Sequence, residues 1–252
     1  MLIEGLKLTG GVIMGNFKAY SIKEAVEKGY VDSVEDAIKE VYKMNKAWIV
    51  DLFSFNSKDE MYLSKDHIDG IIAKGGQVFL GIDKDEEIVV STAAVVPDEY
   101  LRWDIKMLAT KEGYKRMGAG QVVLEKIIRY ARNHGANYIQ FAVSRKCVDA
   151  IEFCRRNGFR VVPLDNRYKS NKRINLNMEL ALFETCPCCG LDVVRDEYDI
   201  CRICGWENDH VQNKDEDYAG GANKLSLKEY RKDFLKKYRQ DPTYVWTGDK
   251  ED

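Results

Sequence analysis

A glycine-bearing turn between a strand and a helix constrains this chain more than any other feature. Leu101 to Thr110 reads as a strand, Lys115-Arg116-Met117-Gly118-Ala119-Gly120 follows, and Leu124, Ile127, Ile128 and Ala131 then recur on one helical face. Such a turn points several backbone N–H groups at one spot and adds the positive end of the helix dipole. Glycine is needed where a side chain would block close approach. The expected ligand is an anion, most naturally a phosphate. Two glycines alone serve any tight turn, so the reading depends on what surrounds them.

The surroundings repeat the alternation of strand and helix. Asn133 to Gly135 ends the first helix and Tyr138 to Val143 reads as a strand. Ala150-Ile151-Glu152-Phe153-Cys154 lies in a second short helix that stops at Asn157-Gly158, before Phe159. This string resembles the GNAT acyltransferase superfamily. The acyl-CoA loop of that family runs Gln or Arg, two residues, Gly, one residue, then Gly or Ala, and its later helix ends in a pattern like A-x-x-x-Y-x-x-x-G-F. Lys115, Gly118 and Gly120 fit the first pattern, with Lys115 a cationic variant, and Ala150, Gly158 and Phe159 fit the second. The resemblance covers about residues 15 to 182. It implies an α/β fold, a mixed twisted sheet with helices on both faces, and a domain over residues 1–182 that binds acyl-CoA. Acetyl-CoA is the expected cosubstrate and an amine of a small molecule or protein the expected acceptor.

The resemblance also assigns roles. Lys115, Arg116, Met117, Gly118, Ala119 and Gly120 would hold the pyrophosphate, while the backbone of Leu108, Ala109 and Thr110 would line the pantetheine and polarise the carbonyl. Acyl transfer from a thioester needs a neutral amine, a stabilised oxyanion and a proton for the departing thiolate. A lysine-like amine has a solution pKa of about 10.4, so a base or a proton-conducting water is expected. Asp104 stands near where histone-type members carry a glutamate base, although a solvated carboxylate or a salt bridge is the competing reading. The usual tyrosine donor is replaced by Cys154 and the preceding asparagine by Cys147. Cys154 is thus either a substitute proton donor or a small buried apolar residue.

Upstream, residues 18 to 76 read as helices and connections. Ser21 with Glu24 is a capping box, Gly29 a stop, and Ser33 the N-cap of a second helix with Val34, Ala37, Ile38 and Val41 on one face. A third helical stretch runs near Ser64 to Ala73, where His67 reads as a surface or core histidine. In GNAT-like folds such helices flank the acceptor cleft. Val78 to Ile82 and Ile88 to Val96 read as a hairpin, Pro97 to Tyr100 as a turn, and Phe159 to Pro163 as the segment that follows the second short helix. Ile174 to Leu180 alternates as a half-buried closing strand.

Beyond Phe183, Cys186-Pro187-Cys188-Cys189-Gly190 and Cys201-Arg202-Ile203-Cys204-Gly205 are two C-x-x-C-G knuckles. Cys186, Cys189, Cys201 and Cys204 at this spacing can close a tetrahedral zinc site, with Cys188 pointing away; disulfides and iron are the alternatives. Together with Gly205 to Asp209 and Gly220 to Asn223, the segment resembles the cysteine-rich CPCC family over about residues 184 to 240. The expectation is a small C-terminal zinc ribbon within residues 183–252. Ser226 and Glu229 form a capping box for a helix whose Leu227, Tyr230, Phe234 and Tyr238 share a face.

Charge restricts the partners. The tail from Phe183 carries 11 Lys+Arg against 16 Asp+Glu, and the whole chain has a net charge of −2, so nucleic acid is not an expected partner. No apolar run is long enough to span a membrane, Met1 to Gly15 lacks a signal-peptide layout, and the cysteine usage suits a reducing compartment, so a cytoplasmic protein is expected. The rival to an enzyme is a catalytically weak module that senses acyl-CoA or binds a protein or nucleic acid through the ribbon.

Overall fold

In the computed structural model, residues 15–53, 55–98, 101–162 and 176–248 are described. The Tyr100 end of the expected turn, Pro163, the start of the closing strand at Ile174, and residues 1–14 of the Met1 to Gly15 leader reading lie outside them. The chain divides into two compact units, with the division between Leu180 and Ala181.

The first unit runs β1 (Phe17–Ser21), α1 (Ile22–Glu27), α2 (Val34–Leu52), α3 (Ser57–Tyr62), α4 (Lys65–Ala73), β2 (Gln77–Asp83), β3 (Ile88–Val96) and β4 (Arg102–Thr110). After a single 3-10 turn at Glu112–Tyr114 come α5 (Ala119–Asn133), β5 (Tyr138–Val143), α6 (Val148–Arg156), β6 (Arg160–Val162) and β7 (Leu176–Ala181). The seven strands form one sheet in the order β1-β2-β3-β4-β5-β7-β6. It is mixed: β1 to β4 are antiparallel neighbours, β4 and β5 are parallel, and β6 and β7 are antiparallel.

Helix starts follow the sequence signals. The Ser21 hydroxyl accepts from Glu24 N at 3.2 Å and the Glu24 carboxylate accepts from Ser21 N at 2.7 Å, while Ser33 Oγ accepts from Asp36 N at 3.1 Å. Two elements differ from expectation. Residues 18–21, read with the helical half, belong to β1, which pairs with β2 along its length; five residues are too few for a period to emerge, and Ser21 also caps α1. The link after α2 contains α3, started by an Asn56–Asp59 capping box.

Both faces of the sheet are covered. On β2, Val78 and Leu80 belong to the core that holds Ala37, Ile38 and Val41 of α2. The intervening Phe79 packs edge-on against Tyr130 of α5 at 5.6 Å, and a Cβ on Gly81 would meet Val123 of α5. Alternation along one strand therefore sends α2 to one face and α5 to the other.

The second unit contains β8 (Glu184–Thr185) paired antiparallel with β9 (Val193–Val194), then α7 (His210–Lys214) and α8 (Leu227–Gln240). Its core joins Cys186, Cys188, Cys201 and Cys204 to Trp206, Leu227 and Phe234, with Tyr230 and Tyr238 partly buried against them. The expected apolar face of α8 is thus the one packed inward, and the Ser226–Glu229 capping box is present. Among the described residues no helix is long and apolar enough to cross a membrane.

Candidate acyl-CoA site and cysteine centre

The parallel pairing of β4 with β5 runs through Arg102↔Tyr138, Trp103↔Ile139 and Asp104↔Gln140. Beyond that point the two strands part, although β4 continues to Thr110 and β5 to Val143. On its other edge β4 remains paired with β3 as far as Thr110. The result is a wedge in the sheet, lined on one side by the backbone of the second half of β4.

A bulge sits inside that half. The β3–β4 register slips between Thr92 and Ala94, so Met107 and Leu108 share the place opposite Ala93, and Met107 has φ 52°. The extra residue reverses the faces of the strand. Trp103 packs on Tyr130 of α5 at 6.1 Å, yet Thr110, an odd number of residues away, also faces α5, with Oγ1 3.2 Å from where a Gly120 Cβ would stand. Met107 and Ala109 lie in the core on the α2 side. Of the three residues expected beside the pantetheine, Leu108 and Thr110 are half-buried and Ala109 is buried.

The glycine turn follows directly. Arg116 (φ 63°) and Gly118 (φ 99°) both have left-handed backbone, an alternation that folds successive N–H groups into an anion-binding concavity. Gly118 is the N-cap of α5 and offers no side-chain cap; Gln121 N donates to Gly118 O at 3.0 Å, while the N–H groups of Ala119 and Gly120 precede the first intrahelical bonds. Gly120 serves closeness: besides Thr110, a Cβ there would lie 3.7 Å from the Phe153 ring of α6. Ser91 Oγ donates to Ala119 O at 2.6 Å and ties the helix start to β3. Lys115 Nζ lies 2.6 Å from Glu112 and 4.0 Å from Asp149, and Arg116 lies 3.4 Å from Asp149. Exposed pairs of this kind are weak, and an incoming phosphate can replace them.

Around the bulge, on the side of α2 to α4, stand polar groups that the sequence reading did not bring together. Asp104 pairs with Lys106 at 3.3 Å. Tyr62, at the end of α3, lies against the His67 ring at 5.1 Å. Burial of its hydroxyl end holds the Tyr62 phenol above its ordinary range, the Met107 backbone opposes that rise, and the Asp104 charge adds to it. Burial, with Lys106 and Lys74, holds the His67 imidazole below its ordinary value, which keeps it a neutral acceptor near neutral pH. His67 is exposed, the surface histidine expected, with its ring set against Tyr62.

Cys154 lies on the inner face of α6 and is fully buried; burial pushes its thiol up to about 12. In this conformation it is a weaker acid than a free thiol, which reduces its fitness as a proton donor. Cys147 precedes α6 and is half-buried. The raised thiol has a consequence for stability. With the folded value near 12 and the unfolded one near 9.0, its contribution is fully present below pH 9 and is lost as pH rises toward 12. Alkaline melts of Cys154→Ala should accordingly show a shallower loss in that window than the parent; equal slopes would place the thiol in contact with water.

In the tail, the Sγ atoms of Cys186, Cys189, Cys201 and Cys204 all lie within 4.8 Å of one another. Cys186 to Cys204 and Cys189 to Cys201 are each 3.6 Å apart. A tetrahedron with Zn–S bonds of about 2.3 Å has edges of about 3.8 Å, so the four sulfurs fit such an ion. None of the seven cysteines is in a disulfide, and the 3.6 Å spacing is far above the roughly 2.05 Å of an S–S bond. The knuckles repeat each other: Gly190 N donates to Cys186 O and Gly205 N to Cys201 O, both at 2.8 Å, with φ 66° and 79° at the two glycines. Cys188 is buried in the adjoining core, outside the four-sulfur set.

Residues 41–159 match the acetyltransferase (GNAT) family. The first unit has a GNAT-like fold. Residues 184–238 match the family described as cysteine-rich CPCC. Among solved structures, a GNAT-family acetyltransferase from Staphylococcus aureus Mu50 is 16% identical with a TM-score of 0.54, covering 66% of this chain and 99% of its own. An acetyltransferase from Streptococcus agalactiae 2603 is 14% identical with a TM-score of 0.53, covering 66% of this chain and 98% of its own. At such identities the likeness speaks for the fold alone. No match is found among curated proteins. Within the GNAT domain, sequence reasoning missed Tyr62, and the only signal that could have raised it was its place beside His67 in an otherwise polar stretch.

Proposed function

We propose that the GNAT domain moves an acyl group, most simply acetyl, from acyl-CoA to a primary amine by direct attack, and that residues 183–252 form a zinc-stapled ribbon joined to a catalytic domain over residues 1–182. The observation that carries the reading is continuity: β4 and β5 stop pairing after Asp104 and Gln140, and the end of β4 at Thr110 lies beside Gly120 of the glycine turn. A long ligand with a diphosphate at one end and a thioester at the other suits that path.

Lys115, Arg116 and the N–H groups up to Gly120 would hold the pyrophosphate. The backbone of Leu108, Ala109 and Thr110 would line the pantetheine and polarise the thioester carbonyl. The acceptor would enter from the side of α2 to α4, where Asp104 takes a proton from the ammonium, directly or through water, and His67 is a neutral alternative acceptor. The amine nitrogen then attacks the carbonyl carbon, the C–S bond breaks, the nitrogen gives up its second proton to water, and the CoA thiolate takes a proton. Burial of Cys154 supports giving that last step to solvent, since a thiolate is already a good leaving group. A reducing, cytoplasmic setting belongs to the proposal, because the ligand thiols must stay unoxidised.

The missing tyrosine supports a second reading, an acyl-CoA-sensing domain of weak turnover. Calorimetry with acetyl-CoA is expected to give a dissociation constant of about 1 μM to 1 mM, the range of ordinary KM values. Turnover against a panel of amines then separates enzyme from sensor. No heat of binding at millimolar acetyl-CoA would end both readings.

A further inference from the structure

One cluster of buried polar groups in the GNAT domain is used neither by a helix cap nor by the sheet ladder. Asn45 of α2 and Thr92 of β3 are both fully buried. Thr92 Oγ1 donates to Met107 O at 2.9 Å, and Asn45 Nδ2 reaches the same carbonyl at 3.3 Å, Thr92 Oγ1 at 3.2 Å and Val41 O at 2.9 Å. Trp48 Nε1 donates to Asn45 Oδ1 at 3.1 Å. An indole N–H can only donate, so Oδ1 must face Trp48 and the amide nitrogen must face Met107. The direction of the Asn45 side chain is therefore set by Trp48.

The carbonyl held in this way belongs to the bulge residue, whose left-handed backbone turns it out of the ladder. Among the described residues no peptide is cis, so the N–H of Leu108 points opposite to the carbonyl of Met107. Fixing the carbonyl toward Thr92 and Asn45 aims that N–H away from α2 and β3, to the side where β4 and β5 part. We infer that Asn45, Thr92 and Trp48 are positioning residues for acyl transfer: they lock the Met107–Leu108 peptide so that Leu108 N–H is held at the thioester carbonyl. A donor fixed before the reaction costs no reorganisation as charge develops on oxygen, which is where electrostatic catalysis gains most. The inference rests on the proposed function and deepens it.

The test uses the full chain with acetyl-CoA labelled at the carbonyl carbon, CoA itself, and the variants Thr92→Val, Asn45→Asp and Thr92→Ser. Difference infrared spectra read how strongly the bound carbonyl is polarised, and calorimetry compares the two ligands. Thr92→Val and Asn45→Asp should shift the carbonyl band back toward its solution position and lower the preference for acetyl-CoA over CoA by about two- to tenfold, the worth of one hydrogen bond. Thr92→Ser, which keeps the hydroxyl, should behave like the parent. An unshifted band in both disruptive variants would overturn the inference, as would affinities for both ligands falling in parallel, the pattern of general destabilisation. A parent that binds CoA and acetyl-CoA with an unpolarised carbonyl would overturn it while leaving the binding site intact. A parent that binds neither ligand removes the proposed function, and the inference with it.

Discussion

Cys201→Ser is expected to release the metal and unfold the second unit while the GNAT domain stays folded. The tail's core is built on the sulfurs themselves, since Cys186, Cys201 and Cys204 are three of its buried members and Cys188 lies beside them. Trp206 packs edge-on to Tyr230 at 5.2 Å, and Tyr230 donates to Cys204 O at 3.0 Å, so the aromatic layer hangs on the second knuckle. Structural zinc supplies about 10–16 kcal/mol of apparent binding energy. A whole domain is typically stable by only about 5–15 kcal/mol. Loss of one ligand therefore exceeds what a unit of this size can absorb. Metal analysis of the parent should find one zinc per chain, and amide exchange should show the variant's tail unprotected. A tail that is folded and metal-free in protein purified without added metal would remove the site.

Gly118→Val is expected to abolish CoA binding with the sheet intact. At φ 99° a β-branched residue costs about 1–3 kcal/mol, and relaxing that strain turns the nest's N–H groups away from their common point. Each hydrogen bond to a charged group is worth about 1.5–3 kcal/mol, so losing two weakens binding by about 10²- to 10⁴-fold. Gly120→Ala makes a graded comparison, because its new Cβ would stand 3.2 Å from Thr110 Oγ1, a contact that a small shift relieves. Calorimetry with CoA should rank parent, Gly120→Ala and Gly118→Val in descending affinity. Parent-like binding by Gly118→Val would place the diphosphate elsewhere.

These expectations were legible because their causes are local. A knuckle, a capping box or a glycine turn is set by residues a few positions apart, so Ser21, Ser33, Ser226, Gly118 and the four ligand cysteines could be read directly. The side proposed for the acceptor was less open. Tyr62, His67, Asp104 and Lys106 meet only because α3 and α4 fold back beside β4, and nothing within any one segment marks the meeting. The bulge was hidden for a different reason. Met107 adopts left-handed backbone without glycine or asparagine to announce it, since the hydrogen bonds that hold it come from α2 and β3. β1 escaped because its last residue also caps the next helix.

The face reversal within β4 gives one strand two addresses. Asp104 and Lys106 look toward Tyr62 and His67, whereas beyond the bulge Thr110 looks toward the glycine turn. Under the proposed function, changes that retune the choice of amine could accumulate on one half of the strand while the half that would read the carrier keeps its shape. The two preferences of such a transferase, usually entangled in a shared pocket wall, would then be divided at a single peptide and open to separate revision.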